Sequence, residues 1–205
     1  MIRCQLVPLT EGFMLSVVIA THESERPLVP TLAALVPGAM AGLVTEVVVA
    51  DGGSTDATEE VADIAGCRFV TSNDALGDRL KQAASSTRTP WLMFLRPGCV
   101  PEPGWIAACE GFMERASRLG GADRAAVFRP PAAADLLRPG LSELLALLRV
   151  MVGGGARPEQ GLLIARRFYD ALGGHPDGAN AEAALLRKLG RRRVSMLSAS
   201  ARAPE

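Results

Sequence analysis

The chain has no excess of either charge: 22 lysine and arginine residues face 22 aspartate and glutamate residues. A nucleic-acid binder shows a basic surplus, so that class of partner is not expected. Cysteine is scarce and unpaired in sequence. Cys4, Cys67, Cys99 and Cys109 form no Cys-x-x-Cys pair, and neither of the two histidines stands at zinc-finger spacing. A disulfide framework and a metal-ligand set are therefore both weakly supported, and buried or free thiols in a reducing cytosol are expected. Long apolar runs are missing too. The nearest, residues 136–152, is interrupted by Arg138, Glu143 and Arg149. No transmembrane helix follows from such a pattern, although peripheral membrane contact stays open. The first residues hold one arginine, and Pro8, Thr10, Glu11 and Gly12 break any apolar stretch, so they do not read as a signal peptide. No internal repeat is present.

What is present is an ordinary globular composition, 48% hydrophobic and 21% charged over 205 residues. That length suits a single domain with a sizeable core and a cytoplasmic setting, with residues 1–13 as a loose leader and 198–205 as a loose tail. The first half alternates strand and helix. Leu15-Ser-Val-Val-Ile-Ala20 is a short β-branched run of the kind buried on both faces of a parallel sheet. A helix beginning near Pro27 or Pro30 carries Leu28, Leu32, Leu35 and Val36, and Pro37-Gly38 is expected to end it. Thr45 to Ala50 is a second strand, and Asp56 with Glu59 reads as a helix cap with its partner. Arg68 to Val70, a helix over 74–86, and Trp91 to Leu95 complete a β-α-β-α-β-α-β pattern.

This alternation predicts an α/β fold with a mostly parallel central sheet flanked by helices. Ligands in such sheets bind beyond the carboxyl ends of the strands. The loops after Ala20, Ala50 and Leu95 should therefore meet at one cleft. The second half is less regular. Helices are expected from Pro103 and over 142–152, 166–172 and 181–189. Strands are expected at 125–128, 161–165 and 194–197, with a mobile loop over 128–140.

Four segments together resemble the family 2 glycosyltransferases, enzymes of the GT-A (Rossmann-like) type that use nucleotide-diphosphate sugars. Leu15 to Glu25 is similar to the opening strand and nucleotide loop of that family. Glu46-Val-Val-Val-Ala-Asp-Gly-Gly-Ser-Thr-Asp-Ala-Thr58 closely matches V-V-D-G-G-S-x-D-x-T and is the most specific of the four. Trp91 to Leu95 is similar to the strand that delivers the metal-binding D-x-D motif. Gly161 to Gly174 resembles G-x-F-x-x-R-R-x-x-F-x-x-x-G-G. Within the family the chain looks closest to a short soluble bacterial subgroup associated with selenium and radical-SAM proteins, where Pro158-Glu-Gln-Gly161 is similar to G-D-Q-G.

The resemblance implies a UDP- or GDP-sugar donor and an acceptor of unknown identity. Asp51 is then the carboxylate for base N–H or ribose hydroxyl groups, with Gly53 allowing close backbone approach and Thr21 and Glu23 lining the other side. Arg79 and Gln82 lie in a helix segment similar to G-R-x-x-Q-x-N and are further nucleotide-binding candidates. The family meets the charge of the departing diphosphate with a divalent ion. At that position this chain has Arg96-Pro97-Gly98, and Cys99 is a poor ligand for Mg²⁺ or Mn²⁺. No metal site and no cofactor are therefore expected, and Arg96 is the candidate phosphate-binding residue. For acceptor deprotonation the candidates are Glu159 and, one residue out of register, Asp177. Glu182 reads as a surface charge, and His175 as a structural residue where the family often has an aromatic. A catalytically inactive domain that binds a nucleotide or a protein partner is the alternative to transfer.

Overall fold

The computed structural model describes residues 13–118, 123–130 and 156–203. Cys4, most of the leader, the 142–152 helix and most of the 128–140 loop lie outside the described residues. The chain runs β1 (Leu15–Thr21), α1 (Glu25–Met40), β2 (Val44–Asp51), α2 (Thr58–Ile64), β3 (Arg68–Thr71), α3 (Leu76–Ser85), β4 (Trp91–Leu95), β5 (Val100–Pro101) and α4 (Trp105–Arg118). It continues through β6 (Ala125–Arg129), a single 3₁₀ turn (Pro158–Gln160), β7 (Leu162–Ala165), α5 (Arg166–Ala171), α6 (Ala181–Leu189) and β8 (Val194–Arg202).

These strands form one eight-stranded sheet in the order β3-β2-β1-β4-β7-β6-β8-β5. The half built by the first four long strands is parallel: β1 pairs with β2 and β4, and β2 with β3. Beyond β4 the sheet becomes mixed. β7 runs antiparallel to both β4 and β6, β8 parallel to β6, and β5 antiparallel to β8. The parallel half buries Val17, Val18 and Ile19 of β1 and every residue of β4, as near-continuous apolar strands must when helices cover both faces.

Three expectations are corrected. First, α1 begins at Glu25 and continues past Pro37-Gly38 to Met40. Proline removes one N–H but leaves its carbonyl, and the carbonyls of Pro37, Gly38 and Ala39 are taken by the N–H groups of Ala41, Leu43 and Gly42. Second, Asp56 does not form a box with Glu59. Its Oδ1 accepts from the backbone N–H and the hydroxyl of Thr58, while Oδ2 accepts from Glu25 N–H at 3.0 Å, so one carboxylate ties the starts of α1 and α2 together. Third, residues 198–202 are not a loose tail. Leu197, Ala199 and Ala201 alternate inward as buried residues of β8, and Glu102 N–H donates to Ser200 O at 2.9 Å. The small alanines conceal this strand from a reading based on large apolar side chains.

The contact between α1 and α4 depends on a residue without a side chain. A Cβ at Gly38 would lie 2.4 Å from the buried indole of Trp105. Gly38→Ala is therefore expected to cost about 2 kcal/mol, within the range for overpacking a rigid site. Gly111→Ala in α4 meets only the tip of Arg115 at 3.3 Å and is expected to stabilise by about 0.5 kcal/mol through helix propensity. Urea unfolding of the two variants checks both signs, and equal effects would contradict the packing argument.

Candidate functional site

The three loops expected to meet do so around the start of α1. Gly52 N–H donates to Thr21 O, at 2.9 Å, joining the ends of β1 and β2. Gly98 N–H, just past β4, donates to Pro27 O at 2.8 Å and to the Thr31 hydroxyl at 2.9 Å, both in the first two turns of α1. The carboxyl ends of β1, β2 and β4 are thus fixed to a common helix.

Asp51 organises the loop that follows β2. Its buried carboxylate accepts from the hydroxyls of Thr21 (2.7 Å) and Ser54 (2.5 Å) through Oδ1. Through Oδ2 it accepts from the N–H groups of Gly53 (2.8 Å) and Ser54 (2.7 Å). Burial pushes its pKa upward, but the hydrogen bonds from Ser54, Thr21 and Gly53 outweigh burial and hold it below the ordinary aspartate value. Gly53 sits at φ +84°, a conformation that L side chains rarely adopt, which lets the loop fold back on the carboxylate.

Glu23 is a non-glycine residue at φ +48°. Its N–H donates to Ser54 Oγ at 2.8 Å, and its Oε1 accepts from the N–H and hydroxyl of Thr55 at 2.7 and 3.1 Å. Three hydrogen bonds hold an unfavourable backbone conformation beside the candidate cleft, a pattern that recurs at functional sites. Below the loop, Arg79 Nη1 donates to Thr21 O and to Ala50 O, each at 3.0 Å, and its buried Nε has no partner among the described residues. Arg79 therefore braces the strand ends. Gln82, one turn further along α3, is exposed.

Arg96, the residue immediately after β4, lies between two carboxylates. Its Nε and Nη2 both donate to Glu182 Oε2, at 2.7 and 2.5 Å, and its Nη1 donates to Glu159 Oε1 at 3.1 Å. Burial alone would lower its pKa, but the hydrogen bond and charge of Glu182, with the charge of Glu159, raise it. Glu182 is thus no solvated surface charge: its side chain is only 11% exposed. The sequence does carry a signal for this. Glu182 stands three and four residues before the buried Leu185 and Leu186 of α6, on the helix's inward face.

The two acids proposed for catalysis are not brought together through a shared partner. Glu159 is held at Arg96, whereas Asp177 pairs with Lys81 of α3 at 3.3 Å and has a side chain 77% exposed. Among the described residues, no group of three or more His, Cys, Asp or Glu side chains is arranged to hold a metal ion. Burial pushes the thiols of Cys67 up to about 11 and of Cys99 and Cys109 up to about 12, so none is a ready nucleophile. No described helix is long and apolar enough to cross a membrane. An apolar groove of about 430 Å³ lies over Val44 and Val47, at the opposite end of β2 from Asp51, and carries no polar chemistry.

Comparison with known proteins bears on the family and the fold. The sequence model for glycosyl transferase family 2 matches residues 16–125, more than half of the chain. Among curated protein sequences none matches significantly. Similar solved structures include glucosyl-3-phosphoglycerate synthase from Mycobacterium tuberculosis in complex with Mn²⁺, uridine diphosphate and glucosyl-3-phosphoglycerate. It is 23% identical at a TM-score of 0.63, with 90% of this chain and 69% of that one covered. The same synthase with Mn²⁺ and UDP-glucose gives the same identity and TM-score, covering 90% of this chain and 68% of that one. A further mycobacterial protein, 24% identical at a TM-score of 0.63, covers 91% of this chain and 65% of its own. At such identities the likeness establishes the GT-A fold.

Proposed function

Because this chain belongs to glycosyl transferase family 2, we propose that it transfers a sugar from a nucleoside-diphosphate donor to an acceptor hydroxyl, with Arg96 meeting the charge of the diphosphate. The observation that carries the proposal is the place of Arg96. It follows the last residue of β4, at the carboxyl end of the parallel strands, where the family's metal-binding acids stand. The similar synthase binds Mn²⁺ and UDP. In this chain the carboxylates of Glu159 and Glu182, the hard oxygen donors an ion would use, are instead paired with the Arg96 guanidinium, whose charge opposes a cation beside it. A planar guanidinium pairs with phosphate oxygens through parallel N–H donors and needs no ion between them. Fixed donors aimed at the leaving group also stabilise the charge that develops as the sugar–phosphate bond breaks.

The nucleoside half of the site is assigned to the Asp51 loop. All four acceptor positions of Asp51 are filled from within the chain, so a base N–H or ribose hydroxyl reaches it by displacing the hydroxyl rotor of Thr21 or Ser54. Glu23 and Gly53 form the rim, and Arg79 keeps the strand ends fixed beneath it. A uridine nucleotide is favoured over a guanosine one by the ligand of the similar synthase. For deprotonation of the acceptor, Glu159 is better placed than Asp177, because Glu159 touches the guanidinium that is assigned to the leaving group.

Titration calorimetry with UDP- and GDP-sugars in a chelating buffer tests the proposal. Wild-type protein is expected to bind one of them, and Arg96→Ala to weaken that binding about thirty-fold or more, as loss of a charge-assisted phosphate contact requires. A folded wild-type sample that binds no donor, or an Arg96→Ala variant that binds as wild type, would overturn it.

A further inference from the structure

The two carboxylates that hold Arg96 are unequal. Glu182 stands in the first turn of a nine-residue helix, has a side chain 11% exposed, and takes two donors on one oxygen. Glu159 stands in a three-residue 3₁₀ turn, has a side chain 40% exposed, and takes one donor at 3.1 Å. The turn itself is anchored: Gln160 Nε2 donates to Phe128 O, and Gln160 Oε1 accepts from Arg157 N–H, both at 2.8 Å. The Glu159 side chain can therefore leave Arg96 without unseating the backbone of the turn.

Charge makes the difference consequential. One guanidinium between two carboxylates is a cluster of net charge about −1, which repels a diphosphate. An anion gains by binding Arg96 only if one carboxylate leaves. Glu182 is costly to move, since it would strand a half-buried cation and itself. Glu159 turns into water at little cost, because exposed ion pairs contribute little.

On this basis we infer that Glu182 is a positioning residue that holds Arg96 in place through Nε and Nη2, and that Glu159 is a counter-ion displaced from Nη1 when a phosphate group binds. The inference rests on the reading of this site as a diphosphate site. It adds an order of events: the Nη1 edge of Arg96 is handed from a side chain to the ligand, and Glu159 is released beside the bound diphosphate.

UDP binding in chelating buffer distinguishes this device from simple electrostatics. Removal of either negative charge should tighten UDP binding if charge alone matters. Here Glu159→Gln is expected to tighten it about three- to five-fold, whereas Glu182→Ala is expected to weaken it about ten-fold. In an Arg96→Ala background both substitutions should change affinity by less than about two-fold, because the residues act through Arg96. The Arg96 Nε–H resonance, followed by NMR without ligand, should be present in wild type and Glu159→Gln and lost to exchange in Glu182→Ala. If Glu182→Ala loses the native amide spectrum, Glu182→Gln replaces it, with a smaller change of the same sign. Unchanged or weaker binding by Glu159→Gln, or unchanged or tighter binding by the Glu182 variant, overturns the inference and leaves the diphosphate reading standing. Failure of wild type to bind either UDP or GDP overturns that reading instead, and the Nε–H signal still reports whether Glu182 holds Arg96; where GDP alone binds, the same variants are read with GDP.

Discussion

Asp51→Ala is expected to lower the unfolding free energy by about 3 kcal/mol and to remove nucleotide binding with it. The substitution strands two backbone N–H groups, of Gly53 and Ser54, and two hydroxyls, of Thr21 and Ser54, that all point at one buried carboxylate. A stranded buried donor costs about 1–3 kcal/mol. Water reaches the half-buried loop residues 52–54 and recovers part of that, which keeps the total near the cost of one or two orphaned groups. Asp51→Asn retains one acceptor oxygen but turns an N–H₂ toward other donors, so about half the loss is expected from it. Urea unfolding measures the stability, and calorimetry with UDP on the folded fraction measures the binding. An Asp51→Ala variant as stable as wild type would mean that the loop is held by Glu23 and Thr55 and not by the carboxylate.

The second large effect is a dependence on pH. His175 is 1% exposed, its Nδ1 is 2.9 Å from the Tyr169 hydroxyl, and its ring packs edge-on against Phe94. Burial, helped by the charge of Lys81, lowers its pKa to about 3. The unfolded chain protonates this histidine below about 6.5, whereas the folded chain does not until about 3. The unfolded state therefore binds the extra proton in between. Stability is full above pH 6.5 and falls as pH drops toward 3, by about 2 kcal/mol between pH 7.5 and pH 5.

His175→Phe should remove most of that slope, at a cost of about 1 kcal/mol at pH 7.5 for the lost Tyr169 partner. The two stability curves then cross, and the variant is the more stable protein at pH 5. Asp51 and Asp56, whose pKa values are also lowered, add their own loss only below about pH 4, so the windows separate. Parallel curves for wild type and variant would contradict the assignment.

The parallel half of the fold was legible because its signals are local. β-branched runs mark β1 and β2, and the glycines after Asp51 mark a turn that only certain backbones make. Helix α6 ends at Gly190 as its sequence implies. Three features were hidden because long-range partners set them. β7 lies between β4 and β6, against the order of the chain. β8 extends to Arg202 because β5 and β6 supply edges for it, while its own inward residues past Leu197 are alanines. The helical spacing of Glu182 marks its inward face, but its partner Arg96, 86 residues earlier, is set only by the fold. The site divides in the same way. Asp51, Gly53, Thr21 and Glu23 fall within two short segments and are found together. The pairing of Arg96 with Glu159 and Glu182 joins three segments that only the folded chain brings into contact.

Under the proposed function, Arg96 meets the charge that a divalent ion meets elsewhere in the family. The most direct measurement is the dissociation constant of the wild-type protein for its UDP- or GDP-sugar, taken once in chelating buffer and once with saturating Mn²⁺. Values that agree within about two-fold are predicted, since Arg96 supplies the positive charge in both conditions. Binding that is tighter by about ten-fold or more with Mn²⁺ would place an ion at the diphosphate after all and contradict the role given to Arg96.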